Sequence, residues 1–143
     1  LYYGCNKSVV GQLQTIQNRA CRIIFGLNKR QSVDEKMKSL HWLKIEQRIE
    51  FKLSLLVYKA LNGLAPSYIS DLITFNNISS RRTSSLHVPH NIKSHPRAFQ
   101  SLAPSLWNQL PLNIKTCSNI ISFKILLKTH LFSKSYHDIQ NNL

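Results

Sequence analysis

Acidic residues are scarce in this chain. Six Asp and Glu stand against nineteen Lys and Arg among 143 residues, a formal charge of +13. Chemistry that clamps two metal ions between clustered carboxylates therefore has no obvious ligands. Asp34-Glu35 is the one adjacent acidic pair, and a helix start accounts for it. Cysteine is sparse as well: Cys5, Cys21 and Cys117 are odd in number, widely spaced and free of any Cys-x-x-Cys pair. That spacing argues against a disulfide framework and a zinc site, and suits a reducing, intracellular compartment, nucleus or cytoplasm. Cys21 beside Ile23 and Ile24 reads as an inert buried thiol. His87, His90 and His95 have no fourth ligand nearby and read as part of a solvated basic loop. No apolar run approaches the roughly 18 residues a membrane span needs, so no membrane partner is expected. There is no Gly-x-Ser-x-Gly elbow. The chain starts on Leu1-Tyr2-Tyr3-Gly4, without an initiator Met or a signal-peptide layout, and is expected to be a fragment of a longer frame.

What is present is positive charge and helical periodicity. Such a cationic excess attracts polyanions, nucleic-acid phosphate above all. Residues 1–30 hold Lys7, Arg19, Arg22, Lys29 and Arg30 with no acid, whereas 31–63 nearly balance. Arg19 and Arg22, with Lys29 and Arg30 following, form the first candidate row for RNA or DNA backbone contact. Arg81-Arg82, in a Ser-rich loop, is the second. Such contacts position a duplex without reading its sequence. The alternative is a basic helical interaction or scaffold domain with no nucleic-acid role, its cations simply solvated. Trp42 and Trp107, each flanked by Leu, are expected to pack in the core rather than stack on bases.

The pattern predicts a mostly α fold of about six helices without a substantial sheet. Residues 8–25 read as an amphipathic helix stopped by Gly26, with Val9, Leu13, Ile16, Ala20, Ile23 and Ile24 as its apolar stripe and Gln12, Gln14, Asn18, Arg19 and Arg22 on the polar side. Gly11 is expected to weaken its first turn. Ser32-Val33-Asp34-Glu35 has the form of a capping box opening a short helix to about Leu40. Residues 44–62 give the central helix, with Ile45, Ile49, Leu53, Leu56, Val57, Ala60 and Leu61 in one stripe and Gly63 as its stop. One or two turns follow Pro66. Residues 74–96 are a polar connector broken by Pro89 and Pro96, in which only Leu86-His87-Val88 alternates like a strand. A helix over 103–110 starts at Pro104 and stops at Pro111. A last helix over about 119–133 carries Ile121, Ile125, Leu127 or Lys128, Leu131 and Phe132, and residues 136–143 read as a frayed tail.

An ordered set of strings runs through these elements. Leu13-Gln14-Thr15-Ile16-Gln17-Asn18-Arg19-Ala20 comes first, then His41-Trp42-Leu43 and Tyr58-Lys59-Ala60-Leu61-Asn62-Gly63-Leu64-Ala65-Pro66. Arg97-Ala98-Phe99 precedes Ala103-Pro104-Ser105-Leu106-Trp107-Asn108-Gln109-Leu110-Pro111, and Ser122-Phe123-Lys124 precedes Leu127-Lys128-Thr129-His130-Leu131-Phe132. From about Leu1 to Phe132 this succession resembles the C-terminal, thumb and post-thumb region of a non-LTR (LINE-type) retrotransposon reverse transcriptase, an RNA-directed DNA polymerase. The resemblance implies a helical thumb-like and post-thumb region over 1–73, a C-terminal helical region over 97–135, and an upstream palm in the same polypeptide. It also implies that catalysis, with its magnesium and Tyr-x-Asp-Asp string, lies in that palm. This chain would then hold no cofactor and act on no substrate alone. Two departures stand out. Lys44 follows the His-Trp-Leu string where the family commonly has Pro, so a less sharp helix start is expected there. His95-Pro96 stand where Gly and an acid are usual.

Overall fold

The computed structural model describes residues 7–75, 85–89 and 99–137 (of His137 the backbone alone). They form seven helices and no strand: α1 (Lys7–Phe25), α2 (Asp34–Ser39), α3 (Ile45–Leu61), α4 (Ser67–Ser70), α5 (Phe99–Gln109), α6 (Leu112–Lys115) and α7 (Ile120–His137). The fold is mostly α. An isolated antiparallel bridge between Phe75 and Leu86 is the one sheet-like pairing among the described residues. The chain divides into two compact units, one of Leu1–Ile49 with Lys128–Leu143 and one of Glu50–Leu127.

In the first unit, α1 runs unbroken through Gly11 and ends in a Schellman turn. Leu27 N–H donates to Arg22 O at 2.9 Å and Gly26 N–H to Ile23 O at 3.4 Å, with Gly26 at φ +60°. That left-handed conformation is what glycine tolerates and other residues resist. The face that α1 buries differs from the expected stripe. Gln17 and Cys21 are buried, whereas Ile16, Ile23 and Ile24 are 61%, 82% and 56% exposed. The physical reason is polar satisfaction. Gln17 Nε2 donates to Leu43 O at 2.9 Å, and Gln14 Oε1 accepts the Ile45 N–H at 2.9 Å, while Gln14 Nε2 reaches Gln17 Oε1 and Asn18 Oδ1. The first N–H groups of a helix have no partner within it, so α1 supplies one to α3. The start of α3 is therefore pinned without a proline. Lys44 O accepts Arg48 N–H at 3.0 Å, and Lys44 Nζ lies 3.1 Å from Asp34 and 5.6 Å from the centre of the Tyr136 ring.

The capping box does not form. α2 begins at Asp34 with Val33 as its cap and no side-chain cap bond, and Ser32 Oγ reaches only Asp34, over 3.4 Å. Val33 is instead committed to the core with Cys21, Met37 and Tyr136, against which Leu27, Leu40, Trp42 and Phe132 pack. The α2 exit repeats the Schellman pattern with a non-glycine residue. Trp42 N–H donates to Met37 O at 3.0 Å and His41 N–H to Lys38 O at 3.0 Å, His41 standing at φ 52°. Its ring stacks on Phe132 with centroids 5.7 Å apart, a contact that helps offset the backbone strain. The sequence predicts a frayed tail over residues 136–143, of which 138–143 lie outside the described residues. In fact Tyr136 is buried and donates its hydroxyl to Trp42 O at 2.6 Å, so α7 continues to His137.

The second unit is organised by aromatic side chains. Phe123 stacks on Tyr58 at 4.1 Å and on Trp107 at 6.0 Å, all three buried, and Tyr58 Oη donates to Cys117 O at 3.1 Å. Phe123 orients this stretch of α7, so Phe123 and Leu127 are buried four residues apart while Ile121 and Ile125 face out. Of the expected stripe Leu127 and Leu131 are buried, whereas Ile121 and Ile125 are not. α5 starts at Phe99, and Pro104 is a buried interior residue rather than the start. Its absent N–H would have bonded four residues back, so the missing bond falls early in the helix. α6 follows Pro111, whose φ of −56° suits the residue before a short helix; periodicity alone does not indicate it. The segment 85–89 is held by Asn108. Its Oδ1 accepts Leu86 N–H at 2.8 Å and its Nδ2 donates to Leu86 O at 2.9 Å, so one side-chain amide stands in for a neighbouring strand.

Candidate nucleic-acid interface

The basic row predicted for the N-terminal region resolves into one exposed helical residue, one half-buried residue and one turn. Arg19 is exposed on α1. Arg22, one helical turn on, is half-buried: its Nη2 donates to Gln31 O over 3.4 Å, and its Nε is shut from solvent without a partner. It does not simply belong to a solvated polar face, because the α1 register turns it over the following loop. Lys29 and Arg30 are the central residues of a turn whose corners bond to each other. Gln31 N–H donates to Asn28 O at 3.1 Å, and Asn28 N–H donates to Gln31 Oε1 at 2.8 Å. The turn thus carries two exposed cations at its tip, beside the end of α1.

Electrostatics favour positive charge here. The C-terminal end of a helix carries a partial negative charge, which lowers the mutual repulsion of cations placed around it. Lys36 adds a further cation that charge counting along the chain had not singled out; its Nζ lies 5.3 Å above the Phe25 ring at the last residue of α1. No sequence spacing would have revealed that pairing, because it depends on how α2 returns. Asp34 is engaged by Lys44, which leaves Glu35 as the exposed acid on α2. Among the described residues no hydrogen bond or ion pair reaches the side chains of Arg19, Lys29 and Arg30. Arg81 and Arg82 lie outside the described residues, as do Lys93, Arg97, His90 and His95.

The other candidates reduce to packing. Cys21 is fully buried, its thiol directed at Val33 O over 3.9 Å, and burial pushes its pKa up although Arg22 and Lys36 act in the opposite sense. A thiol held protonated in this way is a poor nucleophile. Lys115 donates to Asn108 O at 2.9 Å, and burial lowers its pKa. Trp107 is sealed in the core and Trp42 lies against the first unit's core, so packing explains both indoles. Among the described residues no three His, Cys, Asp or Glu side chains come together as a metal site, and no helix is long and apolar enough to cross a membrane. The arrangement offers fixed positive charge to an extended anion. No family model, curated protein or solved structure matches this chain.

Proposed function

We propose that the chain is a non-catalytic C-terminal segment of a LINE-type RNA-directed DNA polymerase that contributes RNA and DNA backbone contacts in an intracellular, nuclear or cytoplasmic, setting. One observation carries the binding part: Arg19 on α1 and Lys29 and Arg30 in the turn beyond it are exposed, and among the described residues their side chains meet no partner, in a chain of charge +13. The polymerase part rests on the ordered strings quoted above. On that reading nucleotide addition and its magnesium belong to the palm, and the exposed Ile16, Ile23 and Ile24 row of α1 is where the preceding polypeptide would pack.

The experiment is equilibrium binding of the chain to a mixed-sequence RNA–DNA hybrid over a salt series. Binding is expected to ignore sequence and to weaken steeply with salt, because each neutralised phosphate releases a condensed counterion. Arg19→Ala with Arg30→Ala should lower the salt slope by about two. Salt-insensitive binding, or an unchanged slope in the double variant, would favour the scaffold alternative, for which the same exposed isoleucine row would be the docking face. Template-dependent extension by the chain alone would overturn the non-catalytic assignment.

A further inference from the structure

The cations Arg19, Arg22, Lys29 and Arg30 are not equivalent. We propose that Arg22 is a positioning residue: it holds the 28–31 turn so that Lys29 and Arg30 meet successive phosphates, and it does not itself contact nucleic acid. The inference rests on the backbone-binding reading above and divides the labour within that site.

Arg22 is tied to both ends of the loop it faces. Its carbonyl accepts the Leu27 N–H at 2.9 Å, closing the helix, and its guanidinium donates to Gln31 O at the far corner of the turn. The side-chain bond is long at 3.4 Å, yet the group is not swinging free, since Nε is excluded from solvent. A guanidinium laid over a loop offers a phosphate only its outer edge, whereas the bidentate grip that makes arginine a strong phosphate ligand needs an open face. The turn's internal bonds, Gln31 N–H to Asn28 O and Asn28 N–H to Gln31 Oε1, fix its shape but not its orientation on the helix. Arg22 fixes the orientation. Holding two cations in place before binding removes an ordering cost from the bound state, which raises affinity without adding a counterion to the count.

The test combines amide exchange in the free protein with salt-dependent binding to the same RNA–DNA hybrid. Arg22→Ala should accelerate exchange of the Gln31 amide and weaken binding by about fivefold, the size of one modest hydrogen bond, with the salt slope unchanged. Lys29→Ala with Arg30→Ala should lower the slope by about two. In that background Arg22→Ala should cost nothing further, because the cations it presented are gone. Arg22→Met, which keeps the stem and removes the donors, guards against a folding defect and should behave as Arg22→Ala does. A slope lower by about one in either Arg22 variant, or an undiminished loss in the Lys29/Arg30 background, would make Arg22 a direct contact and overturn the proposal. Unchanged Gln31 exchange would overturn it too. A wild-type chain that fails to bind the hybrid would sink the backbone-binding reading, while the exchange measurement would still decide whether Arg22 holds the turn.

Discussion

Tyr136 joins three parts of the first unit through one side chain. Its hydroxyl bonds the Trp42 carbonyl at 2.6 Å, Lys44 lies over its ring, and Phe132 packs against it at 4.8 Å. Burial, reinforced by the negative charge of Asp34, pushes the phenol up to about 12 from 10.0. The sign of the linkage follows directly. Below pH 10 the phenol is neutral both folded and unfolded, and the hydroxyl bond is intact. As pH rises from 10.0 towards 12 the unfolded chain ionises first, so the fold loses stability through that interval. Tyr136→Phe should cost about 1 kcal/mol at neutral pH, because the Trp42 carbonyl loses its partner, and should flatten this part of the alkaline decline. Urea denaturation of both proteins across the alkaline range checks it; the difference between them removes the common contribution of the lysines. Parallel curves would show that the buried phenol does not govern the decline.

Among the helices, glycine separates two effects that sequence inspection tends to merge. Gly11 lies inside α1 with open space where a Cβ would stand, so Gly11→Ala should stabilise by up to about 1 kcal/mol through helix propensity. Gly26 also has open space, but its φ of +60° is one that a side chain resists, so Gly26→Ala should destabilise by about 1 kcal/mol. Thermal melts of the two variants should move in opposite directions, and movement in the same direction would mean that the helix end tolerates another turn. This contrast also marks what the sequence made legible. Helix ends are legible at Gly26, Gly63 and Pro111, which stand at observed boundaries, but not at Pro104, which lies inside α5 rather than at its start. Helix faces were read less well. Apolar periodicity put Ile16 and Ile23 inside α1, but Gln14 and Gln17 have a specific task, supplying partners to Leu43 and Ile45 across 26 and 31 residues of sequence. Such long-range satisfaction leaves no local period. The same limit hid the amide clamp of Asn108 on Leu86 and the tie from Arg22 to Gln31. The cations of the candidate site were visible as residues, whereas their unequal exposure was not.

Across the whole molecule the six carboxylates are too few to neutralise nineteen cations, and at neutral pH the chain repels itself. Self-repulsion acts on the compact state more than on the expanded one, so screening should stabilise the fold. Raising KCl from about 20 to about 200 mM shortens the Debye length from roughly 20 Å to below 10 Å and should raise the urea midpoint. Nucleic-acid binding carries the opposite salt sign, since counterion release weakens with added salt. A saturating RNA–DNA hybrid should therefore raise the midpoint at low salt, by linkage to the folded state, and lose that effect as KCl is added. At high salt the free and mixed samples should converge on the stability of the screened chain. A free-chain midpoint that falls with KCl would mean that favourable charge pairs outweigh the net repulsion. A hybrid-induced gain that survives high salt would mean contacts other than phosphate hold the complex.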